Sequence, residues 1–132
     1  MKNLIRFFFV FSSILFGEFD YFQITNISSQ RILSICQDSA GFVWVGTDEG
    51  LNRFDGYEFK RFKATGLKGS ISGNWVTACL QDENNQLWFA TASKGLNRLD
   101  TTTGQFNTYT SSSSLLPLSD DKIWFLCQTM RY

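Results

Sequence analysis

The chain has 132 residues, of which 43% are hydrophobic and 17% aromatic, enough for a buried core and too much for a disordered protein. Its 12 basic and 12 acidic residues are dispersed and balance to zero net charge, which argues against the basic patch of a nucleic-acid-binding protein. Histidine does not occur, so histidine-based acid–base catalysis, imidazole metal ligation and a phospho-accepting histidine are excluded within this chain.

The first 17 residues differ in composition from the rest. Lys2 and Arg6 precede an apolar run, Phe7–Phe16, and Gly17 follows it. A short basic start with an apolar stretch of this length is typical of a secretory signal, and it falls short of the roughly 20 residues of a transmembrane helix. We therefore expect residues 1–17 to be a signal peptide or N-terminal hydrophobic segment of an exported protein. The alternative is a buried strand or helix of the mature fold.

Four short strands separated by turns are predicted next, because runs of strand-forming residues alternate with turn residues. Asp38 can accept backbone hydrogen bonds in the first turn, and Asp55-Gly56 is a strong hairpin signal. Phe19–Phe22 is a further candidate strand. The four predicted strands are Ile32–Gln37, Phe42–Thr47, Leu51–Asp55 and Tyr57–Phe62.

The block that starts at Asp38 returns 44 residues later. Asp82 repeats Asp38 and Trp88 repeats Trp44, while one added residue places Gly95 45 residues after Gly50. A period in the forties with four strands per unit indicates propeller blades, of which four to eight typically close a ring. Period-2 geometry puts each tryptophan on the same face as a very small residue, Gly46 or Ala90, which predicts a neighbouring layer lying closely over that face.

The predicted fold is therefore all-β, with four-stranded antiparallel β-propeller blades. Residues 18–132 would form a partial β-propeller of about two blades plus the start of a third. Its units are repeat 1 at 27–67, repeat 2 at 71–117 and partial repeat 3 at 118–132. A β-sandwich would not repeat Gly-Leu-Asn-Arg at a fixed period, and a WD40 repeat needs the histidine and Trp-Asp elements that are lacking here.

Three cysteines, Cys36, Cys79 and Cys127, lie in equivalent short apolar strands. An odd number does not suit a self-contained disulfide framework, and no Cys-x-x-Cys pair occurs. We interpret them as buried thiols that act as small hydrophobic side chains.

The pattern Gln-Asp-x-x-Gly-x-x-Trp-x-Gly-Thr-x-x-Gly-Leu-Asn-Arg-x-Asp-Gly resembles the two-component regulator propeller repeat. The first unit matches it throughout Gln37–Gly56, and the second departs from it at Asn85, Ala90 and Thr101. The resemblance covers roughly residues 19–128. It implies a region of a periplasmic sensor of a hybrid two-component system of the Bacteroidetes type.

In that family, an exported multi-blade sensor is followed by a transmembrane helix, a histidine kinase, a receiver and often an AraC-type DNA-binding module. The resemblance implies that the propeller binds a glycan-derived small ligand, packs on its remaining blades and is a homodimer in the full-length protein, with no nucleic acid bound. Downstream modules are not recognisable here, so we expect an N-terminal fragment of the ligand sensor that is not an enzyme and needs no cofactor.

No catalytic, cofactor-binding or metal-binding residue is expected, and no ligand contact is assigned. The motif residues recur because every blade needs the same turns and packing. Ligand contacts in repeat proteins come instead from loops on one face, where the copies differ. The differing loops are 48–49 against 92–94, and 68–70 against 111–114.

Two other functions stay open from the residues alone. The chain could belong to an exported propeller enzyme acting on glycans, although its acids fall chiefly in turns. It could also be a non-functional remnant of a truncated gene, because Gln128-Thr129 stands where the repeat predicts Gln-Asp.

Overall fold

The computed structural model describes residues 26–128, and within that range it contains eight strands and no helix. The strands form two four-stranded antiparallel sheets, each with its strands in chain order. The predicted all-β fold of four-stranded antiparallel blades is thus confirmed. The first sheet contains β1 (Ile32–Gln37), β2 (Val43–Thr47), β3 (Gly50–Phe54) and β4 (Phe59–Phe62), and the second contains β5 (Val76–Gln81), β6 (Leu87–Thr91), β7 (Leu96–Asp100) and β8 (Gln105–Tyr109).

The signal segment at 1–17 and the candidate strand Phe19–Phe22 lie outside the described residues. Among those that are described, no helix has the length and apolar character needed to cross a membrane. Both sheets fall inside the predicted units 27–67 and 71–117.

Strand β4 starts two residues later than predicted because the turn between β3 and β4 is longer than expected. The Asp55 carboxylate accepts hydrogen bonds from the backbone N–H groups of Tyr57 and Glu58, at 2.8 and 2.9 Å. These bonds hold both residues in the turn, so pairing with β3 begins only at Phe59.

The start of the third unit forms no strand over residues 118–128. It nevertheless runs along the second sheet. The backbone N–H of Ile123 donates to the carbonyl of Thr91 at 3.3 Å, and the carbonyl of Asp121 accepts from the N–H of Gly95 at 3.0 Å. The Thr77 hydroxyl donates to the Ile123 carbonyl. This segment is therefore attached to β5, β6 and the turn between β6 and β7.

The aspartate–tryptophan spacing of the repeat has a direct structural cause. One carboxylate oxygen of Asp38 accepts the N–H groups of Ala40 and Phe42, and the other accepts the indole N–H of Trp44 at 2.8 Å. The predicted turn role of Asp38 is thus confirmed. Asp82 makes the same three bonds in the second sheet, including the 2.8 Å bond from the indole of Trp88.

The core lies between the two sheets. The indole of Trp44 meets the ring of Phe89 with centroids 5.0 Å apart, and Phe62 meets Phe106 edge-on at 5.7 Å. Gly46 lies so close to the second sheet that an added Cβ would stand 2.6 Å from the carbonyl oxygen of Val76. The expected close layer over the Trp44 face is therefore present. The buried cluster consists of Trp44, Leu51, Ile71, Val76, Leu87, Phe89, Leu99 and Phe106.

Equivalent tryptophans have different surroundings. Trp44 is 1% exposed beneath the second sheet, whereas Trp88 is half-buried against Tyr109, with ring centroids 5.7 Å apart. A groove of about 570 Å³ lies beside Trp88 and is also lined by Leu80, Leu96 and Leu126. The second sheet thus has one covered face and one partly open face within the described residues.

The prediction that the three cysteines are buried is wrong. Cys36 and Cys79 are half-buried in the seam between β1 and β5, and Cys127 is exposed in the segment 118–128. The physical reason is the position of the inner strands. Within residues 26–128, only the second sheet covers β1 and no strand covers Cys127.

Candidate functional site

The asparagines of the repeated Gly-Leu-Asn-Arg motif make hydrogen bonds within their own unit. The side chain of Asn97 is fully buried, accepts the N–H of Ser72 at 2.9 Å and donates to the Ser72 hydroxyl at 2.8 Å. Asn52 makes the same pair of bonds to Ser28, at 2.9 and 2.7 Å. These bonds tie the start of each unit to its third strand. Because the asparagines are occupied and enclosed, their side chains are not available to contact a ligand.

The carboxyl groups with shifted pKa values also serve the turns. The indole N–H of Trp88, followed by backbone N–H groups, lowers the pKa of Asp82. Backbone N–H groups lower the pKa of Asp55 and of Asp100. All three stay ionised at neutral pH, which suits them to accept hydrogen bonds rather than to shuttle protons. Within residues 26–128, no group of three or more Cys, Asp or Glu side chains is placed to hold a metal ion.

One end of the sheets carries the residues that differ between units. The pairs Ile32–Thr47 and Thr47–Gly50 put the start of β1 beside the turn between β2 and β3. In the second sheet, the Trp75 carbonyl accepts the N–H of Ala92 at 3.0 Å, which puts the start of β5 beside the turn between β6 and β7. We call this end, with residues 31, 48–49, 75 and 92–94, the variable face.

Arg31, Asp48 and Trp75 meet on the variable face and join the two sheets there. The Nη1 atom of Arg31 is 3.8 Å from Oδ2 of Asp48, and its guanidinium carbon is 5.4 Å from the centroid of the Trp75 ring. The Arg31 side chain is 64% exposed and Trp75 is 42% exposed. Within residues 26–128, the other carboxylate oxygen of Asp48 is buried without a hydrogen-bond partner.

This Arg31–Asp48–Trp75 cluster combines three kinds of contact. An indole ring offers a flat apolar surface, a guanidinium offers several donors, and a carboxylate offers acceptors. A small polar ligand with an apolar face can use all three at once, as ligand sites generally do.

The predicted loops are placed unequally. Asp48 joins the cluster, and Glu49, Ser93 and Lys94 are exposed on the same face. Residues 68–70 do not reach it, because the Gly69 carbonyl accepts the N–H of Phe106 at 2.9 Å and holds that loop along β8. Residues 111–114 lie nearer the variable face, since the N–H of Ser111 donates to the Asp121 carboxylate at 2.5 Å.

Sequence reasoning missed Arg31 and Trp75. A signal was available: aligning the starts of the three units places Arg31, Trp75 and Lys122 at one position, directly before Ile32, Val76 and Ile123. A position that changes from guanidinium to indole to ammonium, while its neighbours keep their character, is typical of a ligand-facing site in a repeat protein.

Comparison with known proteins agrees with the architecture. Residues 26–49 and 70–93 each match the two component regulator propeller repeat. The extracellular domain of the hybrid two component system BT3049 from B. thetaiotaomicron aligns with 73% of this chain at 32% identity and a TM-score of 0.64. That of the system BT4673 from the same organism aligns with 60% of the chain at 31% identity and a TM-score of 0.53.

A protein named Histidine kinase P4, from Formosa agariphila, is 40% identical over 52 residues, or 39% of this chain. The chain spans 4% of that protein and 14% and 11% of the two solved domains, so it corresponds to a small part of each. Sequence, strand topology and fold similarity lead to the same assignment. The chain carries two successive repeats of the two component regulator propeller family.

Proposed function

We propose that residues 26–128 form two blades of an exported, periplasmic, ligand-sensing β-propeller that belongs to a hybrid two-component system. One observation carries this proposal. The residues that differ between the two units lie together on the variable face of a repeat scaffold, and the solved relatives of that scaffold are extracellular domains. The blades bind the signal, and the kinase chemistry lies in other modules of a longer protein. In this proposal the chain is a sensor piece and not a catalyst.

The ligand in this proposal is a glycan-derived saccharide. Sugar rings have an apolar C–H face that packs on indole, and Trp75 presents such a surface. Their hydroxyl groups need donors and acceptors, which Arg31 and Asp48 supply side by side.

Further blades complete the sensor in this proposal. The half-buried Trp88 and the groove beside it repeat the surface that the second sheet covers at Trp44, so another blade would bury them in the same way. By resemblance to the family, the full-length sensor is also proposed to be a homodimer.

Isothermal titration of the chain with a panel of glycan oligosaccharides tests the site. We expect Trp75→Ala to weaken binding at least about 10-fold, which corresponds to about 1.4 kcal/mol. The matched control is Tyr57→Ala, which removes an exposed aromatic side chain in the turn between β3 and β4. Equal affinity of the Trp75 variant and wild type would refute the site.

Location is tested separately by cell fractionation. The proposal expects the chain in the periplasmic fraction and not in the cytoplasm. Cytoplasmic accumulation of the intact chain, with residues 1–17 retained, would contradict an exported sensor even if the saccharide bound in vitro.

A further inference from the structure

Cys36 and Cys79 face each other in the seam between the two sheets. Cys36 pairs with Trp44 across β1 and β2, and the Trp44 carbonyl oxygen is 4.0 Å from Sγ of Cys79. The Ser34 hydroxyl donates to the Val76 carbonyl at 3.4 Å, so β1 and β5 also contact each other directly beside the cysteines. Ser34 and Cys36 are two residues apart and share a face of β1. The face of β1 that carries Cys36 therefore lies against β5, the strand that carries Cys79.

The cysteines meet because they occupy different positions of their strands. In the sheet registers Cys79 pairs with Phe89, as Ile35 pairs with Val45, so Cys79 corresponds to Ile35 and not to Cys36. Neighbouring positions on a strand point to opposite faces. Cys36 accordingly points towards the second sheet and Cys79 points back towards the first.

We propose that Cys36 and Cys79 form a disulfide that links the inner strands of the two blades. The packing of Trp44 on Phe89 and the contact of the Cys79 sulfur with the Trp44 carbonyl hold the two cysteine-bearing strands side by side, as a disulfide between them requires. Disulfides form and persist in oxidising compartments, which include the bacterial periplasm. Cys127 is the unpaired third thiol, which accounts for the odd number of cysteines.

The two thiols differ in acidity, which favours Cys79 as the first to react. The neighbouring Cys36 lowers the pKa of Cys79, while the neighbouring Cys79 and burial raise the pKa of Cys36. The Cys79 thiolate attacks a disulfide oxidant, such as glutathione disulfide or a thiol–disulfide oxidoreductase, and releases one thiol. Cys36 then loses its proton, attacks Sγ of Cys79 and displaces the second thiol. The protein loses two electrons and two protons, and the oxidant gains them.

Peptide mapping of the full chain tests the link. The protein is equilibrated in a glutathione redox buffer, its remaining thiols are alkylated, and it is digested with trypsin without reduction. Cleavage places the three cysteines in separate peptides, 32–53, 69–94 and 123–131. We expect peptide 32–53 to be joined to peptide 69–94, peptide 123–131 to be alkylated, and the number of free thiols to fall from three to one.

Variants and a denatured reference make the result decisive. Cys127→Ser should keep the link, and Cys36→Ser should abolish it without joining Cys79 to Cys127. A second sample of the chain is oxidised in denaturant. Its peptide map gives the disulfide pairing that is expected when the fold is absent. Any of three results under native conditions would overturn the proposal: a peptide map that matches the denaturant map, a disulfide that includes Cys127, or alkylation of all three thiols. Saccharide binding is measured independently, so failure of the sensor proposal would be distinguishable from failure of this one.

Discussion

The indole of Trp44 in β2 packs on the ring of Phe89 in β6, with centroids 5.0 Å apart and the planes inclined at 51°. Phe89 is the neighbour of Trp88, which is the repeat equivalent of Trp44. In the second strand of each unit, the tryptophan position therefore packs towards the following sheet, and the next position packs towards the preceding sheet. A strand that is apolar on both faces is the direct consequence.

This relationship predicts that the two tryptophans contribute unequally to stability. Trp44→Ala should lower the free energy of unfolding by about 3–5 kcal/mol, because it removes a buried aromatic side chain and leaves a cavity. Trp88→Ala loses the same hydrogen bond to an aspartate but less buried area, so it should cost at least about 1 kcal/mol less. Urea denaturation followed by circular dichroism measures both. Equal losses of unfolding free energy in the two variants would contradict the location of the core between the two sheets.

We predict that a methyl side chain at position 46 is destabilising, although the equivalent residue of the second unit, Ala90, carries one. In Gly46→Ala the new Cβ would meet the Val76 carbonyl at 2.6 Å and also the Ser34 hydroxyl, so the sheets must separate. We expect a loss of about 1–3 kcal/mol in the free energy of unfolding. Ala90→Gly is the reciprocal control, with an expected loss of about 0.5–1 kcal/mol. A Gly46→Ala protein as stable as wild type would contradict the close approach.

The turn at Asp82 should make stability depend on pH. The pKa of this carboxyl is lower in the folded chain than its ordinary value of 3.8, chiefly because of the Trp88 indole N–H. Its stabilising effect is therefore present above the unfolded pKa and is lost as the pH falls through the folded value. Asp82→Asn should reduce the fall in unfolding free energy between about pH 5 and pH 2. Glu83→Gln, an exposed neighbour, serves as the control and should leave that fall unchanged.

The buried asparagine of the Gly-Leu-Asn-Arg motif should be a stability residue and not a ligand contact. Asn97→Ala leaves the Ser72 N–H without its acceptor, and we expect a loss of about 1–3 kcal/mol in unfolding free energy. Saccharide affinity, measured where the variant is folded, should not change. Asn107→Ala, at an exposed position of β8, is the control for amide removal. A selective loss of binding in Asn97→Ala would reassign the motif to the site.

Much of the fold could be predicted because its signals are local. Asp38 and Trp44 lie six residues apart, and their hydrogen bond closes within one turn. The Arg31–Asp48–Trp75 cluster was only partly predictable. Asp48 was indicated by the difference between the loops, but Trp75 lies 27 residues further along the chain, and nothing in the spacing shows that Arg31 of the first unit lies beside it.

The sequence by itself determined the strand content, the repeat period and the turn positions, since these depend on alternation, on aspartate and glycine in turns, and on the recurrence of both. Only the tertiary structure decided that Trp44 is covered while Trp88 is half-buried, that Cys36 meets Cys79, and that Arg31 reaches Trp75. Those contacts join residues more than 40 positions apart. They arise from the way one sheet packs on the next, which no local pattern encodes.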